Sequence, residues 1–329
     1  MSISFSTEDD NGLPIAFKLS PTSNDSEIVY LNKHKDENPN KIKISDFFVN
    51  LLRKQNSAGQ LFRQYLNLKD VNMLKECFDF NYPPKNQKLV QIYNKVIELY
   101  NNSTGSSLRC FEGERLIPLF EPVDGKIKQV VITGPSGIGK TRLAGLIIRK
   151  HIEEFPTSRI YIFTSLDSDP SLDNILPEHM VERILLDEQL LEFDSARIEP
   201  DSIVLFDDVE TINGSGYDPK TAKNIIKKME QIRDEAITTF RHNGVKLIIN
   251  IIHDLMSYKS TKKLNLESQY LIWFNNAGNR PQIKRLLMAH WGLDESQIKQ
   301  AFDLPNSTWV LYSRIYPQYF MWKEGICSV

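Results

Sequence analysis

Cysteine is scarce in this chain. Only Cys77, Cys110 and Cys327 occur in 329 residues, an odd number, widely spaced and without a C-x-x-C pair. Neither a disulfide framework nor a zinc site is indicated, and a reducing, intracellular setting fits best. Long apolar runs are missing too, since nothing approaches the roughly 18 residues of a membrane-spanning helix. The opening MSISFSTEDDNGLP has neither the basic segment nor the apolar stretch of a secretion signal. No membrane partner is therefore expected. An excess of either charge is also lacking, with 40 Lys and Arg against 42 Asp and Glu. A protein that coats nucleic acid carries a basic surplus, whereas one that holds DNA only inside a pore can be near neutral. An N-K-x-D guanine-reading motif is absent as well.

What is present is a globular composition, 41% aliphatic and aromatic and 25% charged. The length suits one large α/β domain with a smaller appendage. Residues 1–42 are rich in Ser, Asn, Asp, Lys and Pro and read as a flexible N-terminal arm with at most a short strand near residues 28–31. Residues 43–107 read as a helical domain and linker. Phe47, Phe48, Leu51 and Leu52, then Leu61, Phe62, Tyr65 and Leu66, then Leu89, Ile92, Tyr93 and Val96 recur at helical spacing, and NNSTGSS follows.

Residues 108–329 alternate strands and helices. Strands are expected at 130–133, 159–164, 202–206, 245–252 and 270–274, and helices at 219–241, 282–290 and 295–302. Segments 308–312 and 318–322 read as a closing hairpin. Residues 166–200 mix Asp, Pro and Leu and are given no element. The fold class that follows from this alternation is α/β, with a mostly parallel central sheet flanked by helices and a small N-terminal helical region, and GPSGIGKT at residues 134–141, a G-x-x-x-x-G-K-[ST] match, makes it a P-loop NTPase fold.

The most informative stretch is QVVITGPSGIGKTRL, residues 129–143. A short apolar strand runs into Gly134, Pro135, Ser136, Gly137, Ile138, Gly139, Lys140 and Thr141, which match G-x-x-x-x-G-K-[ST] without a gap. The glycines let backbone N–H groups approach phosphate oxygens, Lys140 reaches the β- and γ-phosphates, and the Thr141 hydroxyl serves Mg²⁺. Arg142 follows on the first turn of the helix. Downstream, SIVLF delivers Asp207 and Asp208 to the end of a second apolar strand, with Glu210 close behind. Asp207 is the candidate metal residue, and Asp208 or Glu210 the carboxylate that orients water. The cofactors expected are ATP and Mg²⁺.

Four blocks, GPSGIGKTRLA, FPTSRIYIFTSLDSDPSLDNI, IVLFDDVE and FRHNGVKLIINIIHDL, in this order resemble the poxvirus-type genome-packaging ATPases of the FtsK–HerA P-loop superfamily. The resemblance spans about residues 115–320. It implies an ATP-driven ring of identical subunits that moves double-stranded DNA into a viral capsid, with capsid vertex proteins as further partners. The setting it implies is the host cytoplasm or virus factory, or the virion. Arg241 matches the candidate arginine finger, with Arg280 and Arg314 as alternatives. Asn250 or His253 falls where the γ-phosphate sensor is expected, although Ile252 replaces the small polar residue of the family pattern. Asp208 stands where much of the superfamily has Glu. Lys259, Lys262 and Lys263, in an irregular segment after the third strand, are the candidate DNA contacts. The other readings are a helicase or DNA-transfer motor and an ATP-binding scaffold with little turnover.

Overall fold

The structure, a computed structural model, describes residues 2–8, 11–21, 26–34, 43–53, 62, 64–80, 82–104, 107–110, 113–121, 127–207, 209, 216–240, 242–253, 258–275, 280–305 and 307–329. The chain divides into two compact units, Met1–Gly12 with Leu31–Arg109, and Leu13–Tyr30 with Cys110–Val329.

Strands β1 (Ser2–Ser6), β2 (Leu13–Leu19) and β3 (Ser26–His34) occupy the segment expected to be an arm with at most one short strand. That expectation is corrected. Ser, Asn and Asp dominate the composition there, but Phe5, Ile15, Phe17, Val29 and Leu31 are all buried. They fall on alternate positions within each strand, which is enough to hold one face. In the second unit β2 pairs antiparallel with β5 (Arg115–Pro118). Strand β4 (Ser107–Arg109) belongs to the first unit.

The first unit carries helices α1 (Ile44–Arg53), α2 (Leu68–Asp79) and α3 (Gln87–Thr104). Their apolar stripes meet in one core that includes Phe48, Leu74, Phe78, Leu89, Tyr93 and Val96. Phe78 and Tyr93 stack with ring centroids 4.7 Å apart. Asn67 and Asp70 form a capping box at the start of α2, which fixes where that helix begins.

The second unit is built on β6 (Lys128–Thr133), β7 (Ile160–Thr164), β8 (Val181–Leu185), β9 (Ile203–Asp207), β10 (Leu247–Ile252), β11 (Tyr270–Trp273), β12 (Val310–Ser313), β13 (Tyr319–Trp322) and β14 (Gly325–Ser328). In space these run β14-β13-β12-β11-β6-β10-β9-β7-β8. From β11 to β8 every pairing is parallel, and from β11 to β14 every pairing is antiparallel. Strands β8 and β14 were not expected. Val181–Leu185 reads VERIL, a charged edge strand without a clean period-2 pattern, and β14 follows a turn of only two residues.

Helices α4 (Lys140–Glu154), α5 (Pro219–Thr238), α6 (Tyr258–Glu267), α7 (Arg280–Trp291) and α8 (Glu295–Phe302) cover the sheet. Helix α5 starts on Asp218, whose side chain accepts from the backbone of Lys220 and Thr221, with Pro219 pre-set in the first turn. It buries Ile225, Met229, Ile232 and Ala236 against Val204, Phe206 and Ile248. Helices α7 and α8 bury Leu287, Trp291 and Ile298 against Trp273, Val310 and Phe320. The parallel half, covered by helices and fully buried in β6, β7, β9, β10 and β11, is the expected mostly parallel sheet. Among the described residues, no helix is long and apolar enough to cross a membrane.

Candidate active site

Strand β6 ends at Thr133, and the glycine-rich loop carries the chain across the C-terminal edge of the parallel strands into α4. Gly139 is the N-cap of α4 and has φ 101°, a left-handed value, while Gly137 has φ 75°. Nothing lies within 4 Å of a Cβ built on either glycine, so backbone conformation rather than crowding selects glycine here. Because Gly139 has no side chain to cap the helix, the first N–H groups of α4 face the loop. Residues 135–139 are exposed, and the positive end of the helix dipole therefore lies at a solvent-accessible loop.

Lys140, in contrast, is 4% exposed. Its Nζ donates to the carbonyls of Gly134 at 2.8 Å and Pro135 at 2.7 Å, and lies 3.2 Å from His253 Nδ1. Thr141 Oγ1 donates to Asp207 Oδ1 at 3.4 Å. Asp207 is the last residue of β9 and is buried. Strand β10 lies between β6 and β9, so its C-terminal end delivers exposed His253 between the loop and Asp207. Lys140, Thr141, Asp207 and His253, four of the residues singled out in the sequence, converge on one edge.

Asn250 does not join them. Ile251 aligns with Asp207 and Asn250 with Phe206, whose side chain packs with α5. Strand alternation therefore puts Asn250 on the face opposite Asp207. It is 1% exposed, and neither of its amide atoms has a hydrogen-bond partner among the described residues. Arg142 is exposed on the first turn of α4.

The segment expected to be irregular after β10 is helical, and it buries its own Leu264 and Asn265. Lys262 is exposed there, Lys263 pairs with Asp234 of α5 at 3.0 Å, and the side chain of Lys259 lies outside the described residues. Asp208, Glu210 and Arg241 also lie outside them. Of the alternative fingers, Arg280 is exposed with its guanidinium 5.4 Å from the centre of the Phe302 ring. Arg314 is committed elsewhere. It donates to the carbonyls of Asn265, Leu266, Ser268 and His290 and sits 4.1 Å from the Trp291 ring centre. The Lys140–His253 contact was not foreseen from sequence; the available signal was that the third apolar strand is followed at once by a polar residue, His253.

Thr141 and Asp207 offer a hydroxyl and a carboxylate side by side, the hard oxygen pair that Mg²⁺ takes while drawing the rest of its shell from water and phosphate. The donor set fits that ion. Among the described residues, no cluster of three or more His, Cys, Asp or Glu side chains forms a separate metal site.

A buried strand, a glycine-rich loop and a helix N-terminus at the C-terminal edge of a parallel sheet define a P-loop nucleotide-binding fold. No protein-family model matches the chain. The chain is similar to "Uncharacterized protein V3" of Sputnik virophage, 24% identical over 213 residues that cover 64% of this chain and 80% of that protein. Among solved structures it is similar to the genome packaging NTPase B204 from Sulfolobus turreted icosahedral virus 2 in complex with sulfate. That pair is 17% identical, with a TM-score of 0.41 over 63% of this chain and 97% of the other. It is also similar to the pCW3 conjugation coupling protein TcpA with ATPgS, at 12% identity and a TM-score of 0.40 over 66% of this chain and 65% of the other. The fold class follows from this chain's own strand order and loop.

Proposed function

We propose that this protein is an ATPase whose hydrolysis drives double-stranded DNA into a viral capsid, acting as a ring of identical subunits. The observation that carries the nucleotide site is Lys140, held 2.8 and 2.7 Å from the Gly134 and Pro135 carbonyls of the exposed glycine-rich loop that opens α4. Motor and cargo rest on the ordered sequence blocks, and the viral setting on the virophage relative. The protein acts in the cytoplasm or virus factory of an infected cell.

In this reading the loop amides and the N-terminus of α4 bind the phosphates of ATP, and Lys140 leaves the Gly134 and Pro135 carbonyls for the β- and γ-phosphate oxygens. Thr141 and Asp207 hold Mg²⁺. When bound, that ion supplies charge neutralisation on the phosphates. Asp208, or Glu210 in its place, orients the attacking water and accepts its proton, which leaves ADP and inorganic phosphate as products. His253 responds to the γ-phosphate through Lys140. Arg241 reaches the ATP of the neighbouring subunit and neutralises charge that develops in the transition state. Lys262, with Lys259, meets duplex phosphates without reading sequence.

The test is steady-state ATP hydrolysis by the full chain with duplex DNA, single-stranded DNA or neither. Stimulation by duplex alone is the expected result. Stimulation by single strands alone would move the reading to a helicase, and no hydrolysis under any condition to an ATP-binding scaffold.

A further inference from the structure

Two surfaces of the second unit, on opposite flanks of one sheet, are complementary. Beside the edge strand β8 lies a cavity of about 510 Å³. Ile162, Leu172, Leu176 and Val181 form apolar walls, and Asp167 and Glu178 bring carboxylates to it. Arg183 also lines it, but its charge is taken by an ion pair with Asp173. None of the described cations pairs with Asp167 or Glu178, and Arg183 Nη1 is enclosed without a hydrogen-bond partner among the described residues. The cavity is thus half apolar, carries two uncompensated negative charges, and keeps one enclosed donor waiting for an acceptor.

Toward the other end of the sheet, α7 packs its inner side over Trp273, Val310 and Phe320. Its outer side presents Lys284, Arg285 and Met288 around a shallow groove of about 400 Å³. Met288 is 45% exposed, a large apolar side chain left in water. Lys284 reaches Glu295 at 2.9 Å, whereas Arg285 makes no ion pair with any described residue.

We propose that the α7 face of one subunit docks into the β8 cavity of the next copy of this chain, head to tail, with Arg285 meeting Asp167 and Glu178. This rests on the ring reading above and names the surfaces that would build it. The chemistry suits both sides. An Arg carries an aliphatic stem for the apolar walls and a planar fork for carboxylates, and Met288 adds a flexible apolar side chain. Geometry selects the occupant. Different patches on opposite flanks make a heterologous contact, which propagates from copy to copy and forms a ring where the rotation between copies closes, whereas a two-fold dimer must use one patch on itself.

The test uses the full chain with a slowly hydrolysed ATP analogue and duplex DNA, with assembly followed by sedimentation velocity and turnover measured alongside. Asp167→Lys with Glu178→Lys, or Arg285→Glu alone, is expected to raise the concentration for half-assembly on the order of tenfold or more. Combining all three in one chain restores opposite charges across the contact and is expected to recover most of the assembly. The neutral changes Asp167→Asn, Glu178→Gln and Arg285→Gln are expected to weaken it by a smaller factor. Wild-type assembly in every reversed and neutral variant overturns this interface and leaves the motor reading intact. Absence of recovery in the combined variant, with analogue binding at the P-loop unchanged, also overturns it. A wild-type chain that stays monomeric while hydrolysing ATP at full rate overturns the interface and the ring together.

Discussion

Two cations in the second unit, buried Lys140 and half-buried Arg314, are held by backbone carbonyls, and they show what a positive charge inside the fold can be for. Lys140 donates to Gly134 and Pro135, carbonyls of a loop whose next residues are exposed. Arg314 donates to Asn265 and Leu266 in the last turn of α6, to Ser268 just beyond it, and to His290 in the last turn of α7. Helix C-termini leave carbonyls unpaired and carry the negative end of the dipole, so Arg314 caps two helices at once and stacks on Trp291 as well. Its partners are fixed by the packing of the antiparallel flank. Those of Lys140 are lent by an open loop, and a phosphate can replace them. Lys140, in the parallel half of the sheet, is therefore placed for chemistry, and Arg314, on the antiparallel flank, for stability.

Single substitutions test that contrast. The largest effect is expected at Asp207→Asn, which leaves the shape of β9 but removes the carboxylate beside Thr141; ATP turnover should fall on the order of 10²–10³-fold with melting nearly unchanged. Arg314→Ala should do the reverse. It strands four carbonyl acceptors and a ring face, so chemical denaturation should report a loss of roughly 3 kcal/mol while turnover per folded molecule stays the same. A fall in turnover at unchanged stability would erase the distinction.

His151, on α4, gives a pH signature of similar size. It is fully buried with both ring nitrogens unpartnered among the described residues, and burial, helped by Lys246, pushes its pKa from 6.5 down to about 4. Between those values the unfolded chain takes up a proton that the folded chain refuses, so stability falls as pH drops from 6.5 toward 4, by up to about 3 kcal/mol. Above pH 6.5 this group contributes no slope. His151→Leu should flatten the acid limb of a melting-temperature profile, and an unchanged limb would contradict the assignment. The smallest effect is expected at His253→Ala. Losing its contact with Lys140 should lower turnover about tenfold, without the stability loss of Arg314→Ala.

The same contrast explains what could be read in the sequence. Gly134 to Thr141 and the strand ending at Asp207 are local patterns, and the physics that selects them, open backbone amides and an acid at a strand end, acts over a few residues. The five central strands were legible for the same reason, as runs with no polar face. The strand pattern of residues 2–34 was hidden because its apolar runs are short and the polar composition around them outweighed them. Strand β8 was hidden by its charges, which an edge position tolerates. The double capping by Arg314 could not be read, because its acceptors lie 24 to 49 positions away in sequence and become acceptors only when two helices end side by side. Asn250, one of the two sensor candidates, is turned away from Asp207 by a single point of parity. It sits one residue from Ile251, which shares a face with Asp207, and one residue turns a strand side chain to the opposite face.

The most direct measurement is ATP turnover with Mg²⁺ by the wild-type chain and by Lys140→Ala, prepared identically and checked for equal melting temperature. A P-loop ATPase site built on Lys140 requires hydrolysis by the wild type and a fall on the order of 10²-fold or more in the variant. Equal rates for the two proteins, or no hydrolysis by either, would contradict it.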